Sequence, residues 1–106
     1  MLTTELHNRA LKAAETATAN YISKYGEHDA CGFAWVNIWG IKGNTKLGRA
    51  MKAAGINKDY TGAYSIWNPS KYPTQNVSTL EAGAQAAAAV FKRYGFEKAY
   101  AGSRLD

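Results

Sequence analysis

At 106 residues the chain has room for one hydrophobic core and not for two, so it reads as a single domain over residues 1–106. Apolar residues make up 46% and charged residues 20%, which excludes the low-hydrophobicity, high-charge profile of a disordered chain. Lys and Arg number 13 against 8 acids, and the formal charge of +5 favours anionic partners through long-range steering, although a charge of this size also serves plain solubility.

The first element is helical, because Leu6, Ala10, Ala13, Ala14, Ala17, Tyr21 and Tyr25 recur at three- and four-residue spacing. Gly26 is its natural stop. After the polar Glu27, His28 and Asp29, residues 31–41 are rich in aromatic and β-branched side chains and predict a strand. Alternation places Phe33, Trp35 and Asn37 on one face and Ala34, Val36 and Ile38 on the other, so both faces are expected to be largely covered. Asn44 or Thr45 caps a second helix of about three turns, with Leu47, Ala50, Met51 and Ala54 as its apolar stripe and Gly55 as its end.

Residues 62–67 predict a second strand, which runs into Asn68-Pro69-Ser70, where proline ends ladder donation and favours a turn. The polar stretch 68–77, with a second proline at Pro73, is the longest irregular segment and the expected functional loop. Ser78-Thr79-Leu80-Glu81 has the form of a capping box opening a third helix, whose core face is Leu80, Ala84, Ala87, Phe91 and Tyr94 and whose stop is Gly95. Residues 96–105 supply a third strand. The order α-β-α-β-α-β predicts an α/β or α+β domain with a small three-stranded sheet and three helices, the sheet being parallel or mixed.

The longest apolar run in the alanine-rich region, residues 86–91, is far short of the ~20 residues of a membrane-crossing helix. Glu5, His7, Asn8, Arg9 and Lys12 break any apolar stretch near the N-terminus, so no secretory signal is expected and the chain reads as cytoplasmic. A single cysteine cannot close an internal disulfide, and with two histidines it makes a poor structural zinc set. No metal or other cofactor is expected.

The strings Cys31-Gly32-Phe33-Ala34-Trp35-Val36, Trp67-Asn68-Pro69-Ser70 and Ala101-Gly102-Ser103-Arg104-Leu105-Asp106 together resemble a group of small proteins encoded by tailed bacteriophages. The resemblance implies a phage genome and expression in the cytoplasm of a bacterial host. It brings no activity and no functional residue with it.

Among candidate sites, Trp67, Asn68 and Ser70 place a ring, an amide and a hydroxyl at a strand end, where open sheets bind ligands. The competing reading is a turn in which Asn68 bonds its own backbone. Gln75, Asn76 and Ser78 precede the third helix, whose free N–H groups and dipole suit a phosphate, unless the capping box already satisfies them. Arg104 offers a flat fork for phosphate or carboxylate, with an ion pair to Asp106 as its ordinary alternative. These residues predict a non-enzymatic protein that sequesters a nucleotide-like anion, with Trp67 as stacking platform, or inhibits a host factor.

A second class is a nucleic-acid binder using Lys42, Lys46, Arg49 and Lys52, with Trp35, Trp39 and Tyr60 stacking on bases if they are exposed and not core. The third is an enzyme using Cys31 as nucleophile beside His28 and Asp29, or the Ser103/Arg104 end, although a cysteine entering a strand is more often buried and inert. Gly40, Gly43 and Gly48 do not follow phosphate-loop order, so nucleotide hydrolysis has no support. The alanine face of residues 86–89 suits pairing with a second copy or a protein partner.

Overall fold

The apolar periodicities of the sequence become three helices and a four-stranded sheet in a computed structural model that describes residues 2–26, 30–72 and 76–105. In chain order the elements are α1 (Thr3–Tyr25), β1 (Gly32–Ile38), α2 (Lys46–Ala53), β2 (Asn57–Lys58), β3 (Tyr64–Trp67), α3 (Val77–Arg93) and β4 (Ala99–Leu105). The strands lie in the order β2-β3-β1-β4, and every neighbouring pair is antiparallel.

This corrects the expected three-stranded, parallel or mixed sheet. The fourth strand, β2, is only two residues long and too short to show alternation. The β1-α2-β2 crossover spans β3, which inserts between β1 and β2, while β4 adds beside β1, the connectivity of a split β-α-β unit. The crossover helix has eight residues, roughly two turns and not three.

The core lies between the sheet and its helices. Ala34, Val36 and Ile38 of β1 face α3, and α1 packs along α3 and touches α2. Alanine makes that helix pair close: Ala10 and Ala14 of α1 and Ala84, Ala87 and Ala88 of α3 are buried together around Leu6, Leu80, Val90 and Phe91. At Gly83 the approach is tightest, since a Cβ there would stand 2.7 Å from Thr18 Cγ2 and 3.3 Å from the Ala14 carbonyl. The alanines expected to form an outer docking face are therefore partly used inside the chain, with Ala87 and Ala88 buried and Ala89 exposed. Phe91 is fully buried with Phe96 edge-on at 5.6 Å.

The helix ends follow local chemistry. Thr45 caps α2 by accepting from the Gly48 amide at 3.1 Å, as one of the two expected caps. Gly26, Gly55 and Gly95 close the three helices with φ of 72°, 90° and 99°. At α3 the expected capping box is replaced. Asn76 is the N-cap, its Oδ1 accepting from the Thr79 amide at 3.1 Å and the Thr79 hydroxyl at 3.3 Å, so the helix starts earlier than Ser78. Glu81 instead accepts a hydrogen bond from Ser103 of β4 and ties the helix to the sheet. No helix among the described residues is long and apolar enough to cross a membrane.

Candidate functional site

An antiparallel sheet can leave one face to water, and here the face opposite α3 carries the side chains of interest. Its rows follow from the register. Trp67 of β3, Trp35 of β1 and Gly102 of β4 lie side by side; Asn57, Ser65, Asn37 and Tyr100 form the next row; Phe33 pairs with Arg104. All of these are half-buried or exposed, which corrects the expectation that both faces are covered.

Ring stacking and one cation organise the aromatic part of this face. The indoles of Trp35 and Trp67 are parallel to within 1°, with centroids 5.7 Å apart, and Phe33 lies 5.5 Å from Trp67. The Arg104 guanidinium sits over the Phe33 ring at 5.5 Å, a cation–π contact that holds a positive charge at the edge of the aromatic platform. Trp35 can lean onto β4 because its neighbour there, Gly102, has no side chain. Trp67 remains 57% exposed, a large apolar area left to water on a central strand.

The β2–β3 hairpin walls one side. Asp59 Oδ1 accepts from the Thr61 amide at 2.8 Å and from the Thr61 hydroxyl, which shapes the turn and holds the Asp59 carboxyl below its usual range. Tyr60, at the tip of that turn, is 100% exposed. Between the turn and the indoles lies a cleft of about 330 Å³ lined by Trp35, Asn37, Asp59, Tyr60, Thr61, Ser65, Trp67 and Arg104. Asn37 Oδ1 is buried yet has no hydrogen-bond partner among the described residues. A buried unpaired acceptor costs about 1–3 kcal/mol.

No family model, curated protein or solved structure matches this chain. The site therefore stands on its geometry.

Of the described residues expected to form a ligand recess, Trp67 and Arg104 are the two that line the cleft on the open face. Asn68 and Ser70 turn away to the helix side. Asn68 adopts φ 43° in a turn closed by the Lys71 amide donating to its carbonyl at 2.9 Å, and its Oδ1 accepts from the Ser70 hydroxyl at 3.3 Å. Ser70 stands against Gly83 of α3, and Pro69 is fully buried. Asn76 is buried with its side-chain oxygen committed to the α3 cap, Ser78 lies within α3, and Gln75 falls outside the described residues.

The basic cluster is real but differently composed. Arg49 and Lys52 line a cleft of about 440 Å³ together with Lys58 of β2, Gly43, Gly48, Asn57 and Tyr64. Lys58 joins the cluster only through β2, which the sequence does not announce. Lys42 and Lys46 are exposed and do not line the cleft, the Lys42 carbonyl serving instead as acceptor for Thr45. Trp39 is 40% exposed in a separate depression with Leu47 and Phe96. Cys31 is exposed, contrary to the expected buried thiol, and His28 and Asp29 fall outside the described residues.

Phe33, Asn37, Ser65 and Gly102 do not stand out in the sequence as residues of a ligand site, whereas Trp35 and Tyr60 stand out there as stacking rings of the nucleic-acid alternative. The available signal is Asn37, a polar side chain alternating with two aromatics, which marks a face that meets water.

Proposed function

We propose that this chain is a non-enzymatic binding protein whose open sheet face stacks the bases of a single-stranded nucleic acid. The observation that carries the reading is the parallel pair of Trp35 and Trp67 on the two central strands, flanked by Phe33 and Arg104 and backed by helices on the other face only. Four-stranded sheets with aromatics on the central strands bind single strands in this way, because every base has a flat face and stacking tolerates any sequence.

The choice of a strand over a small sequestered nucleotide rests on openness. A sequestered small ligand has most of its surface buried, whereas this platform is a surface with Trp67 and Tyr60 standing in water. The chain carries +5, and Arg104 stands at the edge of the platform, while Arg49, Lys52 and Lys58 line a cleft between α2 and the β2 edge on the helix side of the sheet. The nucleotide-like ligand expected from sequence is thus kept in kind, while its seat moves from the loop after β3 to the sheet.

Fluorescence anisotropy with labelled oligouridylates and oligothymidylates of two to twelve nucleotides tests this. Affinity should rise with length and fall with salt, with a log–log slope of about −0.7 per phosphate contacted. Affinity that is already maximal for a mononucleotide supports the small-ligand alternative, and preference for a neutral oligosaccharide of similar length removes nucleic acid altogether.

A further inference from the structure

We infer that the cleft beside the indole pair receives one base of the bound strand by its hydrogen-bond donors, and that guanine is the base it prefers. The inference rests on the sheet face being a nucleic-acid surface and adds a reading of base identity to it. The cleft joins two kinds of lining. Trp35 and Trp67 offer flat apolar surface, while Asn37, Ser65, Asp59 and Thr61 supply polar groups at its side and base.

Two acceptors of this lining, Asn37 Oδ1 and the Asp59 carboxylate, bear on the choice of base. Asn37 Oδ1 is buried and unpaired among the described residues, so it calls for a donor from outside the chain. Asp59 Oδ1 accepts twice from Thr61, and the Gly62 and Ala63 amides also act on the carboxylate, so what it can offer a ligand is the acceptor capacity of its solvent-facing side. The same bonds hold its pKa below the ordinary carboxylate value. On their pairing edges uracil, cytosine and adenine each present one donor group. Guanine presents two adjacent ones, the ring N–H and the exocyclic amine, which suit a carboxylate with a further acceptor nearby. Arg104, at the rim, places a cation where a phosphate joined to that base can reach it.

The test uses the full chain and four labelled uridine-rich decamers that differ only at one central position, G, A, C or U. The one guanine of the G-containing decamer is too few for self-association. The decamer with G should bind about tenfold more tightly than that with U, the scale of one good bidentate base contact. Asn37→Leu and Asp59→Asn should each reduce that ratio to about threefold or less. Asp59→Asn retains an acceptor for Thr61, so the turn persists. Asn37→Leu removes an unpaired buried acceptor and should melt no lower than the parent.

Equal binding of all four decamers overturns the inference while leaving the stacking face intact. A guanine preference that survives both substitutions overturns the assignment to this cleft, as does a sharp fall in melting temperature with Asn37→Leu, which makes Asn37 a structural residue. Failure of every decamer to bind removes the inference and the reading beneath it together.

Discussion

Trp35 lies against Gly102 so closely that a Cβ on the glycine would stand 2.6 Å from the indole Nε1 and 2.7 Å from Cε2. The bare backbone of β4 is thus the floor on which the ring rests, and the same placement sets it parallel to Trp67 on the opposite neighbour. Gly102→Val should lift Trp35 off β4 and break the parallel pair. Circular dichroism should lose the exciton signal of the coupled indoles, and affinity for a single-stranded decamer should fall roughly 5- to 150-fold, the equivalent of about 1–3 kcal/mol for one stacked base. Retention of both the signal and the affinity would contradict the role given to this contact.

Gly83 is the corresponding close approach in the helix layer, and there the neighbours are less free to move. Gly83→Ala would press on Thr18 Cγ2 and on the Ala14 backbone, so chemical denaturation should show a loss of about 1–3 kcal/mol, as for other overpacked sites. Thr18→Ser removes the offending methyl and keeps the hydroxyl bond to the Glu15 carbonyl, now 2.8 Å long. Added to Gly83→Ala, it should restore part of the loss; a double variant no better than the single would place the strain elsewhere.

His7 gives the fold a pH dependence. Its Nδ1 bonds the Ala54 carbonyl at 3.0 Å, tying α1 to the end of α2, and burial, which outweighs that bond, lowers its pKa from the usual 6.5, with Lys71 adding to the shift. The unfolded chain therefore binds a proton more readily than the folded one. Stability from this group is complete above the unfolded value and is lost as pH falls through about 6.5 towards the folded value. Melting temperatures across about pH 7.5 to 5 should fall with acid in the parent and flatten in that window with His7→Gln. An unchanged pH profile in the variant would show that His7 is not the source.

The basic cleft between α2 and the β2 edge, on the helix side of the sheet, should guide a strand without stacking it. Reversing Lys52 and Lys58 to Glu should weaken binding at low salt and reduce the salt slope by about 0.7 for each phosphate that is no longer neutralised, while the stacking signature of the indoles persists. Abolished binding to every strand, even at the lowest salt and with the indole pair intact, would move the interface from the sheet to that cleft.

Much of the fold is legible in the sequence because its signals are local. The spacing of Leu6, Ala10 and Ala14 marks the buried stripe of α1, and the alternation of Ala34, Val36 and Ile38 gives the inner face of β1. What is not legible depends on long-range pairing. Nothing near Asn57 and Lys58 announces a strand, since their ladder with Ser65 and Tyr64 exists only once β3 is in place. Without it the sheet reads as three-stranded and Lys58 drops out of the basic cluster.

The site is harder to see than the fold. Asn76 and Ser78 compete for the same cap, and Asn76 prevails for a reason that lies far away in sequence: the Val77 amide donates to the Ala30 carbonyl at 2.9 Å and draws that segment onto the start of β1. Of the polar groups expected to line a recess, those of Asn68, Ser70 and Asn76 are engaged in turn and cap. Trp67 and Arg104 stand out in the sequence but join other neighbours than expected, because the pairing of Arg104 with Phe33 and of Trp67 with Trp35 is a matter of register.

Mapping backbone and indole N–H chemical shifts by nuclear magnetic resonance during titration with a single-stranded decamer tests the central claim most directly. The account predicts the largest changes at Phe33, Trp35, Asn37, Ser65, Trp67, Gly102 and Arg104, including both indole protons, with α1 and the outer side of α3 unmoved. Changes confined to the helix layer, or to the Arg49, Lys52 and Lys58 cleft with the indoles silent, would contradict it.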